Sequence, residues 1–167
     1  MNNKFYSDRQ EKMVADYLDF FQVSGSGARP FRPGDVTSEK WLCECKTHDT
    51  VGDKISFKRA HWTKLCNEAL GVNRYPVLIT DNGSQRSQYT WIMIPLRIVP
   101  SDVINILDGV KNSSTKGSSF TFKHGSAMSL YIAHSEDNKV NVFRAEFDEP
   151  LAIMPISAFR DFVERWF

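Results

Sequence analysis

Apolar positions near the amino terminus recur at helical spacing. Met13, Val14, Tyr17, Leu18 and Phe21 fall on one face, predicting an amphipathic helix that runs to about Phe21. Ser7-Asp8-Arg9-Gln10 has the form of a capping box, in which the Ser7 hydroxyl accepts from the Gln10 amide and the Gln10 side chain reaches back. Glu11 lies on the margin of the apolar face. Ser24 to Pro30 is a loop by composition, and Pro33-Gly34 carries an irregular path into Asp35-Val36.

From Trp41 to Lys46 the period changes to two. Trp41, Cys43 and Cys45 share one face of a strand, while Leu42, Glu44 and Lys46 share the other, so the thiols face a core and the charges a cleft. Asp53 to Ser56 reads as the end of a loop and the cap of a second helix. Its stripe is Trp62, Leu65, Cys66, Ala69 and Leu70, stopped by Gly71. Val77-Leu78-Ile79 is a short apolar run suited to a strand covered on both faces, which makes strand, helix, parallel strand the central unit.

Asp81-Asn82-Gly83-Ser84 is turn chemistry, and Tyr89 to Ile94 predicts a further strand. Pro100-Ser101 opens a short helix with Val103, Ile106, Leu107 and Val110 inward, followed by a Ser-, Lys- and Gly-rich loop over 111–119. Two strands follow, around Phe120 to Lys123 and Lys139 to Phe147, and then a terminal helix with Phe159, Phe162, Val163 and Trp166. Ile92-Met93-Ile94-Pro95 and Ile153-Met154-Pro155 each precede a helix, a match too short to define a repeat.

At 167 residues, 41% hydrophobic and 25% charged, the chain has the size and balance of one folded domain. A net charge of +1 excludes a strongly basic nucleic-acid-binding composition. Between Ser24 and Lys64, however, eight Lys and Arg face five Asp and Glu, a local excess of +3. Three cysteines at Cys43, Cys45 and Cys66 form no disulfide framework and fit a reducing compartment. No apolar run approaches the roughly 20 residues of a membrane span, and Met1 to Tyr6 lacks a cationic segment followed by an apolar one. The expectation is a cytoplasmic protein without a membrane partner.

The candidate chemistry lies in the hairpin from Asp35 to Lys46, with Thr37-Ser38-Glu39-Lys40 as its turn. A turn symmetric about Glu39 and Lys40 sets opposite each other residues whose numbers sum to 79, and so pairs Asp35 with Glu44. Cross-strand carboxylates, with Cβ atoms about 5 Å apart, repel unless a cation sits between them. Oxygen donors of this kind suit Mg²⁺, or Mn²⁺ in its place, with the main-chain carbonyl of Cys45 as a third protein ligand. Lys46 projects into the same cleft, where an ammonium positions an attacking water and offsets phosphate charge. The chemistry this points to is phosphodiester hydrolysis. The bland alternative is three solvated charges on a sheet face. Cys43-x-Cys45 with His48 lacks the second Cys/His pair of a zinc site.

In this arrangement the sequence resembles the PD-(D/E)XK nucleases, and among them the archaeal-type and phage Holliday junction resolvases. The resemblance spans Gln10 to about Asn82. It rests on a helix with an early Glu, a Gly-Ser-Gly loop, an Asp after Gly, a Glu-x-Lys strand, a Lys-bearing helix and an apolar strand. It departs from the family at Pro33-Gly34-Asp35, where Pro commonly stands directly before the aspartate. The resemblance implies an α/β fold: a restriction-endonuclease-like core over about 7–84, with a mixed central sheet flanked by helices, and a carboxy-terminal α+β extension over about 85–167.

It also implies roles. Asp35 and Glu44 resemble the principal metal ligands, Lys46 the catalytic lysine, Glu11 a helix glutamate assisting the metal, and Ser24 or Ser26 a loop serine near the scissile phosphate. Ser26 is carried forward as the candidate. Lys58 either lies over apolar surface or reaches back to the cleft as a phosphate contact. The function implied is a Mg²⁺-dependent endonuclease acting on four-way DNA junctions as a homodimer in a cellular or phage-infected cytoplasm. A restriction- or repair-type nuclease of the same fold and an inactive DNA-binding module are the alternatives.

Overall fold

A computed structural model describes residues 3–23, 33–113 and 117–167. Helix α1 (Asn3–Leu18) leads to short strands β1 (Phe21–Gln22) and β2 (Val36–Thr37), and then to β3 (Trp41–Lys46) and β4 (Lys54–Lys58). Helix α2 (Arg59–Gly71) is followed by β5 (Tyr75–Asp81), β6 (Thr90–Pro95), β7 (Ile104–Leu107) and β8 (Ser119–Lys123). Helix α3 (His124–His134), strands β9 (Val140–Glu146) and β10 (Pro150–Pro155), and helix α4 (Ile156–Trp166) complete the chain.

Eight strands form one mixed sheet in the order β1-β2-β3-β5-β6-β10-β9-β7, and β4 and β8 form a separate two-stranded ribbon. Parallel pairs join β3 to β5 and β7 to β9, and the other neighbours in both sheets are antiparallel. The fold is thus α/β with a large mixed sheet flanked by helices. One face packs Val14 and Leu18 of α1 and Phe159 and Phe162 of α4 against Trp41, Cys43, Cys45, Val77 and Ile79. The other packs Trp62, Leu65 and Ala69 of α2, the aromatics of the ribbon and Ala127 of α3 against Leu42, Leu78, Trp91 and Phe143. Among the described residues no helix is long and apolar enough to cross a membrane.

Several expectations are corrected. Helix α1 begins at Asn3, so Ser7 lies inside it, and it ends at Leu18 because Asp19 turns left-handed (φ 57°) while the Phe20 amide donates to the Ala15 carbonyl. Residues 54–58 are a strand and not a cap: Ile55 and Phe57 alternate with Lys54, Ser56 and Lys58, and the inward pair completes the second core. Leu70 is exposed and leaves the helix stripe. The segment expected as a helix after Pro100 is β7, since β-branched Val103, Ile104 and Ile106 favour extended backbone and β9 offers a parallel edge. Residues 85–167 are no appended extension, because they place β6, β7, β9 and β10 in the same sheet as β3 and β5.

The alternation of β3 places the thiols as expected. Cys43 and Cys45 lie in the core between α1 and the sheet, where burial pushes both well above the usual thiol range and keeps them protonated. Cys43→Ala and Cys45→Ala should each lower stability by about 1–2 kcal/mol through the small cavity created, with no change in bound zinc. Urea midpoints and zinc analysis check this, and stoichiometric zinc lost on substitution would overturn the core assignment.

Candidate active site

Glu44 and Lys46 project from the same side of β3, the side of the second core, beyond Leu42. Lys46 Nζ lies 3.0 Å from Glu44 Oε1, and the Glu44 side chain is only about a tenth exposed. The pairs Val36↔Cys43 and Thr37↔Leu42 carry the register expected from the turn. At Asp35 the ladder departs from it. The Asp35 amide donates to the Cys43 carbonyl at 2.9 Å, and the Cys45 amide donates at 2.8 Å to Asp35 Oδ2. The Asp35 carboxylate therefore grips the Glu44–Cys45 peptide and does not stand square opposite Glu44. Gly34 makes this approach possible: it holds φ +81°, and a Cβ there would meet Leu42 Cδ1 at 2.6 Å.

Glu11 reaches the same place from α1. Burial, the nearby Asp35 charge and, more weakly, Asp8 and Glu44 push its carboxyl up to about 7, against a hydrogen bond from Gln22 that favours the anion. Three carboxylates from a helix, a hairpin strand and a central strand thus lie within electrostatic reach. Ser26 and Ser24 lie outside the described residues.

Other groups at this site were missed from the sequence. Gln10 is fully buried, and its Nε2 donates to the Lys46 carbonyl at 2.7 Å, bracing the end of β3. The signal was present, since Gln10 precedes Val14 and Leu18 on the buried face, and a buried amide requires a partner. Beyond Lys46, the Thr47 hydroxyl donates to Asp81 Oδ1 at 2.6 Å, and the Gln85 amide donates to the Thr47 hydroxyl and the His48 carbonyl. This network ties the exit of β3 to the end of β5. Asp81 is pushed above the ordinary carboxylate range, chiefly by burial, and its Oδ2 has no partner among the described atoms.

Helix α2 brings one cation, Lys64, and one imidazole, His61, within electrostatic reach of the site. The charge of Glu44 is the largest influence raising Lys64, with Glu68 next. His61 is lowered by burial first, and then by Lys46 and Lys58. Lys58 itself is exposed at the end of β4, beside this group and not within the helical stripe.

Among the described residues no three Asp, Glu, His or Cys side chains form a ready-made metal cage. The proposed set asks for less than that: two carboxylates and the Cys45 carbonyl, with water completing the shell. Oxygen donors and the carboxylates of Glu11, Asp35 and Glu44, the first raised by burial and then by the Asp35 charge, suit a hard divalent cation. In comparisons with known proteins, no family model, no curated protein and no solved structure matches the chain.

The raised Glu11 has a definite sign in chelator-treated protein. Below the ordinary glutamate value of 4.5 both folded and unfolded chains are protonated there, and the group costs nothing. As pH rises from 4.5 towards 7 the unfolded chain ionises first, so stability falls, and above about 7 the penalty is constant. Glu11→Gln should therefore gain stability relative to the parent across that window and hold the gain at pH 8. Thermal melts in EDTA at pH 4, 6 and 8 check it, and a difference independent of pH would place Glu11 away from the other carboxylates.

Proposed function

We propose that the chain is a Mg²⁺-dependent endodeoxyribonuclease with the restriction-endonuclease-like arrangement that its motifs resemble, acting on four-way DNA junctions. The observation that carries this reading is the Glu44–Lys46 pair on one strand, with the Asp35 carboxylate anchored at the amide between them and Glu11 in electrostatic reach. Asp35, Glu44 and the Cys45 carbonyl would hold the ion, and Glu11 would assist. A bound Mg²⁺ lowers the pKa of a water and offsets phosphate charge. Lys46 orients the attacking water and stabilises charge that builds on the phosphate, while Gln10 fixes the strand end that aims it. Lys64, within electrostatic reach of Glu44, offers a cation to a phosphate backbone, and His61, near Lys46 and Lys58, a neutral imidazole. Ser26 keeps its proposed place near the scissile phosphate.

A junction is resolved by two symmetric cuts, and this constellation occurs once among the described residues. A two-fold homodimer supplies the second centre. Free cysteines and DNA as the proposed substrate support a reaction in the cytoplasm of a cell or of a phage-infected host.

Single-turnover cleavage of junction, flap and linear DNAs, measured beside binding by gel shift, tests the reading. Asp35→Asn and Glu44→Gln should each reduce junction cleavage at least about a hundredfold, with binding retained or tightened. Lys46→Ala should lose cleavage similarly but keep metal binding. Mg²⁺ or Mn²⁺ should support the reaction and Ca²⁺ should not. Cleavage undiminished by excess chelator, or a Lys46→Ala protein that cuts at the parent rate, would sink the assignment. Equal cleavage of linear duplex would replace the junction with ordinary duplex, and binding without cleavage would leave a DNA-binding module.

A further inference from the structure

The sheet reads the same from both ends of its central pair. β4, α2 and β5 correspond to β8, α3 and β9 at one constant offset of 65 residues, the separation of Ser56 and Thr121. Under that offset Phe57 matches Phe122, Lys58 matches Lys123, Leu65 matches Leu130 and Val77 matches Val142.

The pairing registers obey the same relation. Leu78 and Phe143 correspond; Leu78 pairs with Met93, Phe143 pairs with Ile153, and Met93 and Ile153 pair with each other. Ser56 likewise pairs with its own counterpart, Thr121, through hydroxyls 3.0 Å apart. A local two-fold axis therefore passes through the middle of the β6–β10 pair and the middle of the β4–β8 ribbon. Continued outward, Glu44 pairs with Leu78 and Leu107 with Phe143, so Leu107 occupies the place of Glu44. Strand β7 forms the sheet edge and has no counterpart of β2 beside it. The second half repeats the scaffold without the carboxylates.

What it repeats on its surface is a lysine. Ile55, Phe57, Phe120 and Phe122 of the ribbon point into the core, which turns Lys54, Lys58 and Lys123 outward. Lys54 and Lys123 stand directly opposite each other in the ladder. Like charges at that separation, about 5 Å between Cβ atoms, destabilise a strand pair unless an anion bridges them. None of the three lysines makes an ion pair among the described residues, and the adjacent Asp53 is committed to the Gly125 amide at 3.0 Å. The strip runs on towards the reaction centre, since His61 feels both Lys58 and Lys46.

We infer that the β4–β8 ribbon is a binding strip for the phosphodiester backbone of DNA, laid across the local two-fold axis by a duplicated half that holds nucleic acid and does not cut it. The inference rests on the nuclease reading for the identity of the nucleic acid. The ribbon extends the contact from the reaction centre across to the site-less half, with Lys58 on the near side of the axis and Lys123 on the far side.

Fluorescence anisotropy of a labelled junction and a labelled duplex in EDTA, over a range of salt, tests it without cleavage. The exposed variant Lys54→Ala/Lys123→Ala should weaken binding and reduce the slope of log K against log salt by about 2, and addition of Lys58→Ala by about 1 more. Lys12→Ala, on α1 and paired with Asp16, is the control and should leave the slope unchanged. Circular dichroism melts confirm that the variants fold. A triple variant with the parent slope overturns the strip even if the protein cuts DNA. Weakened binding by a protein that never cleaves keeps the strip and rejects the nuclease reading, and equal losses in the control reduce the effect to net charge and overturn the proposal.

Discussion

The site depends on one strand that must satisfy two surroundings at once. Along β3 the thiols of Cys43 and Cys45 enter the core beneath α1, while Glu44 and Lys46 emerge beyond Leu42 on the opposite side. A slip of one residue would exchange the two sets, driving a carboxylate and an ammonium among Val14, Val77 and Ile79. Burying unpaired charge costs several kcal/mol per group, far more than any alternative turn could recover. Packing thus enforces the register that sets the carboxylate and the lysine side by side. The hairpin turn supplies the rest: Gly34 lets the chain pass Leu42 closely enough for Asp35 to take the Cys45 amide.

This explains which parts were readable in advance. The alternation of Trp41 to Lys46, the α2 stripe, the apolar run of β5 and the terminal helix each follow from a single strong period, and the turn symmetry gave the β2–β3 register. Helix α3 was not readable, because only Ala127 of its eleven residues is buried and Gly125, Ser126 and Ser129 interrupt any stripe. Residues 103–110 fit helical and extended periods alike, and the choice fell to β9, whose Val140 and Val142 are far away in sequence. For β4 the capping residues outweighed a true alternation whose partner strand, β8, lies beyond three further strands of the sheet. At the site, Asp35, Glu44 and Lys46 came together from local pattern. Gln10, His61 and Lys64 act through tertiary approach, which no local period encodes.

Net charge conceals this arrangement. A total of +1 is compatible with a centre holding three carboxylates and a ribbon holding three unpaired lysines, because opposite signs collected in different places cancel in the sum. Segregation of this kind works against the isolated fold: burial, and after it the nearby Asp35 charge, make Glu11 resist ionisation, and Lys54 faces Lys123. A sequence selected for stability alone would intersperse the signs. Both features would become favourable with the ligands proposed above, a cation in one place and a polyanion in the other.

The second half provides an internal control for this argument. Leu107 and Glu44 hold corresponding positions, each beside a parallel partner strand, and they are 6% and 8% exposed. The sheet is therefore built equally well with leucine at that point, and leucine there adds apolar burial without desolvating a charge. Nothing in the scaffold requires a carboxylate at Glu44, and the fold accepts one only with Lys46 drawn against it and Asp35 fixed alongside. The polar choice in one half, set against the apolar choice in the other, separates what the architecture needs from what the chemistry needs. By that comparison the architecture does not require Glu44 and Lys46, as the proposed chemistry expects.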